Sequence, residues 1–180
     1  MSSDADAAVE SGVVVWFVGL PASGKTTLAR AVGERWMAAS GERAVLLDGD
    51  EVRATLFPRP GYDAAARDAF YRTLAGLAAL LRRQCLTVLV SATAPRRAHR
   101  DHARSLSPRF VEVFVDTPLD ECARRDPKGL YARARVEPAV STLPGVGSPF
   151  ERPERPDVVV GPSDDDGPSR VVRAIESARA

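Results

Sequence analysis

Residues Gly19-Leu20-Pro21-Ala22-Ser23-Gly24-Lys25-Thr26 satisfy the pattern G-x-x-x-x-G-K-[ST]. A loop of this kind between a buried strand and a helix points successive backbone N–H groups inward, and the helix N-terminus adds positive potential. It can hold a polyphosphate without reading a base. Gly19 and Gly24 permit a close approach of backbone that a Cβ would obstruct. Ala22, Ser23 and Thr27 complete the candidate cradle, Lys25 places a compact cation at the β/γ-phosphates, and the Thr26 hydroxyl is a candidate ligand for Mg²⁺.

Two carboxylates follow a second apolar run, in Leu46-Leu47-Asp48-Gly49-Asp50. At the C-terminal edge of a parallel sheet they would lie beside the phosphate loop, where ligands of open α/β sheets bind. Phosphoryl transfer asks two things of such side chains, and Asp48 and Asp50 together could do both: orienting Mg²⁺ through water and accepting a proton from an attacking hydroxyl. Lys25 and Lys128 are the only lysines among 25 basic residues. Lys128 falls in a Pro/Gly-rich stretch suited to closing over negative charge and excluding water.

These groups need a scaffold, and the apolar patterning describes one. Continuous β-branched runs at 13–18, 44–47, 86–90, 111–115 and 158–160 read as strands of a parallel sheet covered on both faces. Segments with helical spacing at 25–39, 64–83, 97–105, 118–125 and 170–178 lie between or after them. Alternation of this kind implies right-handed crossovers, hence an α/β fold: a parallel sheet of about five strands with helices on both faces. The stretch 126–156 has no sustained apolar period and reads as a lid. Residues 1–11, with Asp4, Asp6 and Glu10, read as a disordered acidic tail before a single domain spanning 12–180.

Composition excludes several classes. With 25 basic and 24 acidic residues the net charge is +1, so no global field draws the chain to nucleic acid or an acidic membrane. Hydrophobic residues make up 44% of the 180 positions, enough for a packed core, yet no apolar run has the roughly 18 residues of a membrane helix. A cytoplasmic protein is expected. Cys85 and Cys122 read as reduced core residues, His99 and His102 as members of a solvated helix, and Trp16 and Trp36 as core.

Beyond the phosphate loop, three segments carry a family resemblance: Leu47-Asp48-Gly49-Asp50-Glu51-Val52-Arg53, Val113-Phe114-Val115-Asp116-Thr117-Pro118, and Arg125-Asp126-Pro127-Lys128-Gly129-Leu130-Tyr131. Together they resemble adenylylsulfate kinase, in order from about Val15 to the last strand. That family phosphorylates the ribose 3′-hydroxyl of adenosine 5′-phosphosulfate with MgATP. The resemblance implies a P-loop kinase-like fold, ATP and Mg²⁺ as cofactors and a small-molecule hydroxyl acceptor as partner, with a homodimer as the assembly to test. It gives Asp48 to the metal shell, Asp50 to the acceptor hydroxyl as base or orienter, Arg125 to the cofactor, Lys128 to phosphate or substrate, and Arg53, Arg67 and Arg72 to the sulfonucleotide. Tyr62 stands where the family has Phe.

The departures gather on the acceptor side. Glu51 replaces the Asn of Asp-Gly-Asp-Asn; Ala69-Phe70-Tyr71-Arg72-Thr73 replaces Glu-Asn-Ile-Arg-Arg; Thr93-Ala94-Pro95 replaces Ile-Ser-Pro; Leu143-Pro144-Gly145-Val146 replaces Phe-Thr-Gly-Ile. Phe70, Thr93 and Leu143 are therefore expected in an altered acceptor pocket. Two further readings stay open: a relative that phosphorylates a different small anionic metabolite, and a nucleotide-binding regulatory module without transfer. Asp48, Asp50, Arg53 and Lys128 argue against the last.

Overall fold

The computed structural model describes residues 12–136 and 142–180. Five strands, β1 (Val14–Val18), β2 (Val45–Asp48), β3 (Val88–Ser91), β4 (Phe110–Val115) and β5 (Val158–Val160), form one parallel sheet in the order β2-β3-β1-β4-β5. Every residue of β1 is buried, as expected of a central strand covered on both faces. Edge strand β2 is half-buried throughout, and in β5 Val159 is exposed.

Among the described residues seven helices accompany the sheet: α1 (Lys25–Ser40), α2 (Gly49–Thr55), α3 (Ala64–Arg82), α4 (Arg97–Ser105), α5 (Leu119–Arg125), α6 (Leu130–Val136) and α7 (Gly167–Arg179). Side chains alternate across β1 and so feed two cores. Val15 and Phe17 pack with Leu28, Val32 and Trp36 of α1 and with Val171 and Ile175 of α7. Val14, Trp16 and Val18 pack with Phe70, Tyr71 and Leu74 of α3 on the other face. Trp16 and Trp36 are thus core residues, as expected. No helix among the described residues is long and apolar enough to cross a membrane.

Two helices lie outside the segments expected to be helical. In α2 the Asp48 side chain caps the helix, accepting from the N–H groups of Asp50 and Glu51. In α6 the Asp126 carboxylate accepts from Leu130 N and Ala132 N. The 126–156 stretch is therefore partly helical; its residues 137–141, like the acidic tail 1–11, lie outside the described residues.

Two other expectations are corrected. His99 is 6% exposed rather than solvated, because α4 turns it against α3, where its Nε2 lies 2.7 Å from Asp68 Oδ1; His102 stays half-buried. Cys122 is buried, but Cys85 is only half-buried, in the turn after α3 with φ 66°. Neither forms a disulfide.

Candidate active site

The phosphate loop joins β1 to α1. Ala22 and Gly24 have φ of 60° and 98°, and Ser23 N donates to Leu20 O at 3.1 Å. A Cβ on Gly19 would meet Val115 O at 2.6 Å, so only glycine lets the loop leave β1 against β4. No side chain caps the start of α1, which leaves its first N–H groups to an anion. The Ser23 hydroxyl is buried without a hydrogen-bond partner.

Neighbouring elements lock this loop from outside. The Thr117 hydroxyl donates to Ser23 O at 2.8 Å, Arg125 Nη1 reaches the same carbonyl at 3.4 Å, and Tyr131 OH donates to Pro21 O at 2.9 Å. Thr117 belongs to a motif the sequence singled out, but its role as a brace was not legible there.

Lys25 Nζ donates to Leu20 O at 2.7 Å. Burial pushes its ammonium down to about 8, against the attraction of Asp50. Bound phosphates favour the charged form, so the complex keeps a proton that the free site loses above about pH 8. Affinity for a polyphosphate should accordingly be full below that pH and fall above it, by at most about tenfold per pH unit. Calorimetric titration with a non-hydrolysable nucleoside triphosphate checks this. Constant affinity up to about pH 9.5 would remove Lys25 from the phosphates.

The carboxylates divide their work. Asp48 Oδ2 accepts from the Thr26 hydroxyl at 2.6 Å, and its Oδ1 accepts from Asp50 N at 2.9 Å. Ser91 Oγ, at the end of β3, lies 2.9 Å from Thr26 Oγ1. Thr26, Asp48 and Ser91 thus converge as hard oxygen donors beside the phosphate loop, a set that fits Mg²⁺ and its waters. Ser91 was not singled out in the sequence, since nothing local connects it to Thr26. Asp50 reaches outward, its Oδ2 2.5 Å from Lys128 Nζ, with both side chains largely exposed. That hydrogen bond, ahead of burial, raises the Lys128 ammonium above its ordinary value.

One cleft of about 1020 Å³ connects these groups to the expected acceptor residues. Its walls include Gly24, Lys25, Thr26, Thr27, Asp48, Asp50, Arg53, Tyr62, Arg67, Phe70, Thr93, Arg125, Lys128 and Leu143. Arg53, only 4% exposed, is gripped between rings, its guanidinium carbon 3.8 Å from the Phe70 centroid and 4.6 Å from that of Tyr62. Its Nη1 donates to Gly61 O at 2.6 Å. Arg67 Nη2 donates to Thr142 O at 2.9 Å, tying α3 to the segment carrying Leu143.

Arg72 is corrected: it is exposed on α3 and does not line the cleft. Helical geometry explains this, because Phe70 and Tyr71 take the buried face and the next residue turns outward. Arg59 and Arg133 line the cleft but were not singled out among the many arginines.

Comparison with known proteins places this geometry among relatives. The family described as "Adenylylsulphate kinase" matches residues 11–161. An adenylyl-sulfate kinase of Picosynechococcus sp. is 43% identical over 147 residues, covering 82% of each chain. The bifunctional enzyme NodQ of Azospirillum brasilense is 43% identical over 165 residues, which is 91% of this chain and 26% of that protein. The chain therefore spans about a quarter of that larger relative's length. The Mycobacterium tuberculosis APS kinase CysC, solved in complex with AMPPNP and APS, superposes with a TM-score of 0.84 at 40% identity, covering 92% of this chain and 98% of its own.

Proposed function

The chain belongs to the adenylylsulfate kinase family, and from that premise we propose that it transfers the γ-phosphate of ATP to the 3′-hydroxyl of adenosine 5′-phosphosulfate. The juxtaposition of Thr26, Asp48, Asp50 and Lys128 across one cleft carries this reading: phosphate cradle, metal donors, proton acceptor and mobile cation meet where two substrates can meet.

In this reading the phosphate loop and Lys25 hold the β- and γ-phosphates, and Arg125 lies beside Gly24 on the nucleotide side. Mg²⁺, when bound, neutralises charge developing on the phosphates. Thr26, with Asp48 and water behind it, would hold the ion. Asp50 takes the proton of the 3′-hydroxyl as its oxygen bonds to the γ-phosphorus. The bond to the bridging oxygen breaks, and ADP leaves with 3′-phosphoadenosine 5′-phosphosulfate as the other product. Lys128 turns from Asp50 toward the transferring phosphate while Arg67 meets acceptor anion, with 126–136 and 142–156 closing over both as a lid. The reaction belongs in the cytoplasm, and self-association as a homodimer is checked by sedimentation.

A second reading, a different anionic acceptor, is favoured by one observation: Phe70 packs face-on against Arg53 where the family pattern has an amide. One measurement separates the two. With MgATP, kcat/KM for adenosine 5′-phosphosulfate should fall in the enzymatic range of about 10⁴–10⁸ M⁻¹s⁻¹. Leu143→Phe combined with Phe70→Asn should lower its KM about tenfold, the effect of one base–aromatic stack. A rate equal to ATP hydrolysis without acceptor overturns the sulfonucleotide assignment. Loss of the native reaction in the double variant favours the other acceptor.

A further inference from the structure

The acceptor wall contains a backbone turn held against its own preference. After β3 the chain runs through Ala92, Thr93 and Ala94, with Ala92 and Thr93 lining the cleft. Ala94 has φ 38°, in the left-handed region that costs a residue with a Cβ. Such a conformation persists when its surroundings over-determine it, and both polar groups of Ala94 are taken. Its N–H donates to the Tyr71 hydroxyl at 2.9 Å, and its carbonyl accepts from Arg100 Nη1, also at 2.9 Å. Arg100 is buried, its Nε 2.9 Å from Glu112 Oε1.

Tyr71 is itself fixed. Its ring lies 4.4 Å from that of His99 and meets Phe70 edge-on at 5.4 Å, centroid to centroid. His99 is anchored by Asp68, whose carboxylate also accepts from Arg96 Nη1 at 2.8 Å. Phe70 in turn supports Arg53. One residue of α3 therefore couples the turn after β3 to the aromatic seat of Arg53.

Two departures from the family pattern coincide here: Tyr71 stands in place of Ile, and Ala94 in place of Ser. Read along the chain they are separate changes, yet the two residues touch: the Tyr71 hydroxyl accepts from the backbone N–H of residue 94. An isoleucine could not accept the Ala94 N–H. We propose that Tyr71 is a positioning residue for the acceptor: its hydroxyl holds the Thr93–Ala94 turn at the depth that sets acceptor fit, and Tyr71 and Ala94 act as one coupled specificity element. This rests on the acceptor side of the cleft as assigned under the proposed function.

The test is Tyr71→Phe, which keeps the ring against His99 and Phe70 and removes only the hydroxyl. A buried N–H left without a partner and close to the acceptor should raise KM for adenosine 5′-phosphosulfate about tenfold. KM for ATP and kcat at saturating acceptor should stay within about twofold. A merely structural tyrosine would lower Tm and leave both KM values alone; that result, or an equal rise in both, overturns the proposal. In a cycle, Tyr71→Ile with Ala94→Ser should lie nearer the wild-type acceptor KM than Tyr71→Ile alone, and additive effects count against coupling. Should the wild type not phosphorylate adenosine 5′-phosphosulfate at all, the functional reading falls separately. Hydrogen exchange then decides for Tyr71: in Tyr71→Phe the Ala94 amide should exchange faster while the phosphate-loop amides do not change, and an unchanged Ala94 amide overturns the proposal.

Discussion

Asp50→Asn is expected to lower kcat by about 10²- to 10⁴-fold, the usual worth of a positioned general base. The argument is steric as much as chemical. Asp50 is exposed on the first turn of α2, its carboxylate meets Lys128, and its backbone N–H is the group held by the Asp48 cap. The amide therefore replaces the carboxylate without disturbing the helix, the cap or the Thr26 hydroxyl. KM for ATP should stay within about threefold, because the Asp50 carboxylate hydrogen-bonds Lys128 across the cleft and acts on the Lys25 ammonium only through its charge. Steady-state kinetics with both substrates varied gives the answer. Equal losses in nucleotide affinity and turnover would move Asp50 from proton acceptor to metal support. Asp48→Asn should show that second behaviour, since Asp48 both accepts from Thr26 and caps α2, and raised Mg²⁺ should restore part of its activity.

Lys25→Ala is expected to abolish measurable transfer, a fall of about 10³-fold or more, because a preorganised cation is lost where charge develops on the phosphates. Stability should not follow activity. Burial holds the ammonium of the free protein near 8, well below the ordinary lysine value, so at neutral pH the charged group opposes folding. The unfolded chain binds this proton more tightly than the native protein, and wild-type stability therefore rises between about pH 8 and 10.5 as the lysine discharges. Thermal melts at neutral pH should give the variant a Tm no lower than wild type, with an unchanged circular dichroism spectrum. Retained turnover would overturn the phosphate-loop assignment; a much lower Tm would show instead that the Lys25–Leu20 hydrogen bond holds the loop.

What the sequence made legible was whatever is written in consecutive residues. The strands of the sheet, the loop before α1, and the Asp48–Asp50 pair all combine local pattern with a local chemical need. Helix α2 carries its own start signal, Asp48 followed three positions later by Glu51, but the same carboxylates equally suit a turn or the chemistry of the site. Helix α6 was hidden by the Pro and Gly residues around it. Ser91 and Thr117 act through partners remote in sequence, and one sequence offers no means of pairing them. Arg72 and His99 failed for a common reason: a helix's polar residues look alike until the neighbouring helix shows which side is covered.

Parallel pairing sets a timetable for the nascent chain. Strand β1 is flanked by β3 and β4, with Val14 opposite Val88 on one side and Phe110 on the other. The loop that follows β1 lies against the Val115 carbonyl at Gly19 and is held by the Thr117 hydroxyl at Ser23. A chain still emerging from the ribosome, with β4 unmade, already contains Gly19 to Thr26 yet has nothing to shape them against. Its nucleotide grip arises only once distant segments have closed over β1, a slow class of event because long loops must be ordered before their contacts reward them. Until then the apolar strand 14–18 lacks its β4 neighbour, and its open side is a liability for aggregation.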